Sequence, residues 1–282
     1  MISGADFLAL QKLLLERSGM ALTSDKLYLV ASRLSPVAQR FGLHSVIELM
    51  ATLRERPRED LIAAVIEAMV THESLFFRDE KPFEQLAGVV LPELMRARAA
   101  QKSIRIWSAA CSSGQEAYSI AMLIQEKFPL AVGWSWEIVG GDISEAIVRK
   151  ARAGSYSAFE IKRGLSEERI ARHFRRAEGE TYSVNETIRR MVRFETHNLL
   201  ESAARLGVFD VVFCRNVLIY FDTPTKTRVL DNIARQMSAD GALFLGGADT
   251  IVGVSAKFTG VGQERGIYRV APGCGASVAR VA

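Results

Sequence analysis

The chain has 282 residues, of which 49% are hydrophobic and 24% charged, a profile of a folded globular protein with room for one large domain and a small one. A formal net charge of +4 suits partners with negative surfaces without singling out nucleic acid, and no apolar run nears the roughly 20 residues of a membrane span. Cys111, Cys214 and Cys274 are odd in number and widely spaced, which argues against a disulfide framework or zinc spacing and for a reducing cytoplasm.

Residues 1–79 are expected to form an all-helical N-terminal domain, with helix to about residue 73. The start reads as an amphipathic helix rather than a signal peptide, with Phe7, Leu10 and Leu14 on its apolar side and Gly19 as its stop. Ser24 is placed to cap a second helix running to about Phe41. Ser45 with Glu48 forms a capping-box pattern for a third, and Glu59 to about Val70 makes a fourth. On the second helix Lys26, Arg33 and Arg40 recur every seven residues and so share one stripe. Such a stripe is either a solvated face or a docking stripe for an elongated acidic partner.

In Thr71–Asp79, the sequence THESLFFRD, an exposed Phe76-Phe77 pair would be costly, so both rings are expected to be buried, with Arg78 held beside an apolar wall. Asp79 is placed to cap the next helix. Residues 80–103 read as linker helices.

From Ile104 the pattern becomes strand–helix alternation, which argues for a parallel sheet. Ile104–Gln125 reads as a buried strand, a loop of small residues (Cys111, Ser112, Ser113, Gly114) and a helix, the opening unit of a nucleotide-binding type of α/β fold. With Gly114 as its only glycine, the loop lacks the full dinucleotide fingerprint. Trp136–Gly141 is a second strand. The acid that ends it, Asp142, either accepts from ribose hydroxyls or only caps the helix that follows. Residues 155–200 interrupt the alternation, with Thr181–Val184 and Met191–Glu195 expected as a β-hairpin excursion at about 175–195. Its arginines, Arg189, Arg190 and Arg193, form either a solubilising surface or a second contact for an acidic partner. Phe209–Phe221, the sequence FDVVFCRNVLIYF, is a continuous apolar strand delivering Arg215 and Asn216 to the carboxyl edge, followed by the aromatic Tyr220 and Phe221. Asp240-Gly241 is expected to turn into the strand Ala242–Gly246, and Gly266–Val270 to be a late antiparallel strand. The main domain spans 104–271, and 272–282 reads as a disordered tail.

At these motifs the sequence resembles the chemotaxis receptor methyltransferases, the CheR type of S-adenosylmethionine-dependent protein-glutamate methyltransferase. The resemblance covers about residues 1–271. It runs through the helical N-terminal domain, FFRD, the loop WSAACSSGQEAYS at Trp107–Ser119, Asp142, Asn198-Leu199 and CRNVLIYF. It implies a Rossmann-like α/β methyltransferase domain with a small β-hairpin subdomain, preceded by an all-α helical bundle. It also implies a bacterial, cytoplasmic enzyme that esterifies receptor glutamates for sensory adaptation.

By resemblance, the donor S-adenosylmethionine, which leaves as S-adenosylhomocysteine, is held by His72, Ser74, Arg78, Glu116, Asp142, Asn198, Leu199, Arg215 and Asn216, without a metal. Arg78 and Tyr220 are the residues implicated in catalysis. The N-terminal domain, with Lys26, Arg33 and Arg40, contacts the helical methylation region of the receptors, and neither nucleic acid nor membrane insertion is implied. His72 and Ser74 stand where the family usually has Asn and Thr, and Gln115 and Ala117 where it has Glu and Pro. The compact turn of the β-excursion argues against tethering to a receptor's C-terminal peptide. Three other classes compete: a methyltransferase for RNA or a small molecule, a donor-sensing regulatory module, and a nicotinamide enzyme. The absence of an Asn/Asp-Pro-Pro-aromatic motif at Arg215-Asn216-Val217, the intact candidate site and the single-glycine loop weigh against them in turn.

Overall fold

The computed structural model describes residues 2–177, 179–261 and 264–276. The chain forms two compact units, Met1–His72 with Tyr220–Lys226, and Glu73–Ile219 with Thr227–Ala282.

The first unit is a bundle of four helices, α1 (Gly4–Ser18), α2 (Leu27–Arg40), α3 (Val46–Glu55) and α4 (Glu59–Met69). Local chemistry sets their ends. Ser3 and Asp6 make a reciprocal capping box for α1, and Gly19 closes it in the left-handed conformation at φ 77°. Ser45 caps α3, whereas Ser24 opens a single 3₁₀ turn ahead of α2 instead of capping it. Leu10, Leu14, Leu34, Leu49, Val65 and Met69 are fully buried and hold the bundle together. The segment Tyr220–Lys226 belongs to this unit through backbone pairing: Ala21 N donates to Tyr220 O at 2.9 Å, and Met20 bridges Phe221.

The second unit begins with α5 (Lys81–Gln85) and α6 (Leu91–Ala97), joined by a π-helical turn at Leu86–Val90. These are not linker helices. Phe83, Leu86, Val90, Leu91 and Leu94 are buried in the same core as the central sheet. The chain then continues as β1 (Ser103–Ala109), α7 (Gln115–Lys127), β2 (Ser135–Asp142), α8 (Glu145–Ala153), β3 (Ser155–Ser157), α9 (Ala158–Lys162), α10 (Glu167–His173), β4 (Phe174–Arg176) and β5 (Thr181–Val184). There follow α11 (Glu186–Arg189), β6 (Val192–Thr196), β7 (Phe209–Cys214), α12 (Thr223–Arg235, in this unit from Thr227), β8 (Met237–Leu245), β9 (Phe258–Val261) and β10 (Glu264–Val270).

Seven strands make one sheet in the order β6-β2-β1-β7-β8-β10-β9. The first five are parallel, and β10 runs antiparallel to both β8 and β9. The carboxyl ends of β6, β2, β1, β7 and β8 therefore share one edge. The strand order reverses between β1 and β7, and this reversal opens a crevice where α/β folds bind ligands. This is the Rossmann-like arrangement expected from the alternation, and Phe76 and Phe77 are buried as expected.

The small antiparallel excursion is present as a three-stranded sheet, β3-β5-β4, built around the hairpin β4–β5. The segment expected as its second strand instead joins the main sheet as β6, parallel to β2. The reason is steric. The Phe194 ring lies over Gly114 and Gly140, where an added Cβ would come within 2.9 and 2.5 Å of it, so the missing side chains make room for the ring beside β2. Asp240-Gly241 is likewise no turn but lies inside β8, which runs on with a register shift against β7. In the expected tail, Ala276 N donates to Met237 O at 2.8 Å and Ala276 bridges Ser238; its remainder, 277–282, lies outside the described residues. Among the described residues no helix is long and apolar enough to cross a membrane.

Candidate active site

The loop after β1 is wound tightly. Ala110, Ser112 and Gly114 all have positive φ, at 62°, 51° and 94°. Gly114 is required on two counts, its conformation and the Phe194 and Ala151 side chains that a Cβ would strike. Winding the loop this way turns its amides toward the end of β2. Cys111 N donates to Gly141 O at 2.9 Å and Ser112 N to Asp142 Oδ2 at 2.9 Å, while Ser144 N donates to Asp142 Oδ1 at 3.1 Å. Asp142 does not cap α8, whose N-cap is Ser144 with its Oγ accepting from Ile147 N at 3.2 Å; it stitches two loops together. His197 N donates to Asp142 O at 2.8 Å, which brings the Asn198-Leu199 loop to the same corner.

A second network centres on Arg215, whose side chain is 2% exposed. Its Nη1 donates to Glu116 Oε2 at 3.1 Å; its Nη2 donates to Asp79 Oδ2 at 2.8 Å and to Arg78 O at 3.0 Å. Ser108 Oγ holds the other Glu116 oxygen at 2.8 Å. Asp79 thus does not cap α5. Its backbone is left-handed at φ 56°, and its carboxylate faces Arg215.

The segment carrying Arg78 is fixed from below. Phe77 N donates to Ser119 Oγ at 2.9 Å, and Gly164 lies so close that a Cβ there would be 1.9 Å from Phe76 O. The Phe76 ring meets Tyr156 and Phe174 edge-on. Arg78 is half-buried and reaches Glu73 O at 3.4 Å, and Ser74 is half-buried in the same segment. Asn216, beside Arg215, is left-handed at φ 57°. Burial pushes the Cys111 and Cys214 thiols well above their ordinary range, so both are neutral packing groups rather than nucleophiles.

The structure thus joins Glu116, Arg215 and the Arg78 main chain in one network, and Asp142 with the Asn198-Leu199 loop in another. His72, Tyr220, Lys26, Arg33 and Arg40 belong to the helical unit. There His72 and Tyr220 are half-buried, and Arg40 is exposed, its guanidinium 5.4 Å from the Phe41 ring centroid. Arg33 is not a free docking cation. It donates to the carbonyls of Met69 and Val70 and to Thr71 Oγ1, and so caps the carboxyl end of α4. Three residues missed in the sequence also shape the site. Asp79 and Asp249 bind it across long sequence gaps, and Asn232 Nδ2 donates to the carbonyls of Leu199, Leu200 and Glu201.

Comparison with known families decides the class. Residues 5–70 match the model described as "CheR methyltransferase, all-alpha domain", and residues 72–267 match "CheR methyltransferase, SAM binding domain". The chain belongs to the CheR methyltransferase family. It is 40% identical over 265 residues to the chemotaxis protein methyltransferase Cher2 of Pseudomonas putida, covering 93% of this chain and 96% of that one. It is 42% identical over 252 residues to chemotaxis protein methyltransferase 1 of Pseudomonas aeruginosa, covering 88% and 91%. With the Salmonella typhimurium chemotaxis protein methyltransferase it shares 32% over 266 residues, covering 93% and 89%.

The crevice of this CheR-family chain fits the donor that its S-adenosylmethionine-binding domain implies. The loop at 110–114 brings small side chains and backbone to the crevice, and the Asp142 carboxylate stands beside it at the carboxyl end of β2.

Proposed function

We propose that this CheR-family enzyme transfers a methyl group from S-adenosylmethionine to glutamate carboxylates on the cytoplasmic helical region of chemotaxis receptors, producing methyl esters for sensory adaptation. The donor supplies a methyl group on a sulfonium cation. Asp142 accepts from the ribose hydroxyls, and the Asn198-Leu199 loop borders the base. Glu116, Arg215, Asn216, His72 and Ser74 complete the donor contacts, and the reaction needs no metal.

The acceptor glutamate is already ionised at neutral pH, since its reference pKa is near 4.3. It therefore needs a cation to orient it, not a base to activate it. Arg78 supplies the cation and Tyr220 a hydroxyl donor, and positioning is the main catalytic contribution. Charge is lost as ester and thioether form, so the buried walls at Phe76 and Phe77 favour the reaction by excluding water. The observation that carries this reading is the Arg215 network, in which one buried guanidinium fixes both Glu116 and the main chain at Arg78.

On the helical unit, Lys26 and Arg40 remain available to meet the acidic methylation helices, while Arg33 serves the fold. The test is transfer of labelled methyl to membranes containing the host's receptors. Base-labile label on receptor glutamates is the expected result; no transfer, with tight donor binding by calorimetry, refutes it.

A further inference from the structure

Asp249 lies just beyond β8, outside every motif that pointed to the site. Its carboxylate gathers three backbone donors from two separate segments. Oδ2 accepts from Asn216 N at 2.7 Å and from Gly246 N at 3.0 Å, and Oδ1 accepts from Ile219 N at 3.1 Å. A Cβ on Gly246 would fall 2.7 Å from Asp249 Oδ2 and 2.8 Å from Asn216 N, so the approach of the two segments requires glycine there.

The bond to Gly246 closes a local turn, as does Asp249 N donating to Gly246 O at 2.9 Å. The bonds to Asn216 and Ile219 serve no local turn: they reach back 33 and 30 residues. The stretch 215–217 is irregular and leads into a 3₁₀ turn at Leu218–Tyr220, so the amides along it, which include the unpaired first N–H groups of that turn, need acceptors from outside it. Among the described residues Asp249 supplies two of them, and it holds Asn216 in its left-handed conformation.

We infer that Asp249 is a positioning residue for methyl transfer, fixing the Asn216–Ile219 turn that presents Asn216 to the donor and leads one peptide later into Tyr220. The inference rests on the function proposed above. Burial raises the Asp249 pKa, against the opposing pull of the three amides and of the Arg215 guanidinium. The neighbouring Cys214 thiol is pushed up first by burial and then by this carboxylate. Protonation of Asp249 would weaken the acceptor on which the turn depends.

The test compares the full-length wild type with Asp249→Ala and Asp249→Asn. Amide exchange at Gly246, Asn216 and Ile219 is measured with S-adenosylhomocysteine bound, and kcat and the donor KM are measured on receptor membranes. In Asp249→Ala the Asn216 and Ile219 amides should exchange at least about tenfold faster. Its kcat should fall at least about tenfold, and the donor KM should rise at least about threefold as Asn216 loses its place. Asp249→Asn, which keeps one acceptor oxygen and the side-chain shape, should be intermediate, and it should lose the part of the acidic limb of the wild-type kcat profile that lies above the ordinary carboxylate range.

Protected amides in Asp249→Ala, a kcat within about twofold of wild type, or a kcat loss that equals the unfolded fraction seen by circular dichroism would each overturn the inference. Should the wild type transfer no methyl to receptors, the proposed function fails by itself. Amide exchange then still decides whether Asp249 holds the turn.

Discussion

Replacing Arg215 by methionine removes a cation whose side chain is 2% exposed and leaves its partners in place. Glu116, with its side chain 14% exposed, would keep only the Ser108 hydroxyl. Breaking a buried pair from one side costs about 3–5 kcal/mol. Asp79 is 59% exposed and returns to water, so its share is below about 1 kcal/mol. A net loss near 3 kcal/mol follows, or roughly 6–12 °C in Tm for a unit of this size. The assay is urea unfolding without donor, followed by calorimetric binding of S-adenosylhomocysteine, which should weaken at least about tenfold, the loss of one charge-assisted contact. Adding Glu116→Gln removes the stranded carboxylate, so the double variant should recover at least about 1 kcal/mol relative to the sum of the single changes. Arg215→Lys keeps the charge but cannot fork to three acceptors, and should recover only part of the loss. A loss below about 1 kcal/mol in Arg215→Met, or strict additivity with Glu116→Gln, would refute the reasoning.

Further predictions concern other parts of the molecule. His197 is 4% exposed, neither ring nitrogen has a hydrogen-bond partner among the described residues, and burial, followed by Arg205, depresses its pKa. Its folded-state pKa lies below the unfolded value, so the stability it affects is fully present above about pH 6.5 and declines as pH falls through that value toward the folded pKa, by at most about 1.4 kcal/mol per pH unit. His173 is depressed by burial too, against an opposing Glu126, so the relevant readout is the difference between wild type and His197→Leu in denaturant unfolding at pH 8 and pH 5.5. That difference should favour the variant more at the lower pH, and a pH-independent difference would contradict it. Gly164→Ala forces a side chain onto a backbone at φ 108° and against Phe76 O, and should cost more than about 2 kcal/mol and depress methyl transfer; a wild-type Tm would exclude this. Lys26→Glu with Arg40→Glu should raise the receptor KM about three- to tenfold, more at low salt, with donor affinity unchanged. An unchanged receptor KM would remove the stripe from the docking surface.

What the sequence disclosed was mostly local. The cap at Ser45, the stop at Gly19, and the strand–loop–helix at Ile104–Gln125 are all written within a turn or two of the residues they govern. Position along a strand also placed Asp142, Arg215 and Asn216 at the carboxyl edge. Pairing across the chain was not legible. Asp79 reads as a helix cap because acids often cap, yet its partner is 136 residues away. Arg33 keeps the seven-residue spacing of its neighbours, but spacing gives only the face of a helix, not the α4 carbonyls waiting opposite. The alternation in Val192–Thr196 suits a hairpin and a central sheet equally well. The choice was made by two glycines in other segments, Gly114 and Gly140, whose missing side chains leave room for Phe194.

The return of Tyr220–Lys226 to the helical unit has a consequence for how such a chain can be divided. The two family models meet near residue 71, which suggests modules joined by a single seam. Yet Ala21 hydrogen-bonds to Tyr220 and Met20 pairs with Phe221, so the helical unit is assembled from two separate stretches of chain. A fragment cut at the seam would leave the backbone at Met20-Ala21 without its partner. Grafting a foreign helical bundle onto this enzyme would therefore also require re-matching seven residues deep in the other half of the sequence, among them the tyrosine assigned to the reaction.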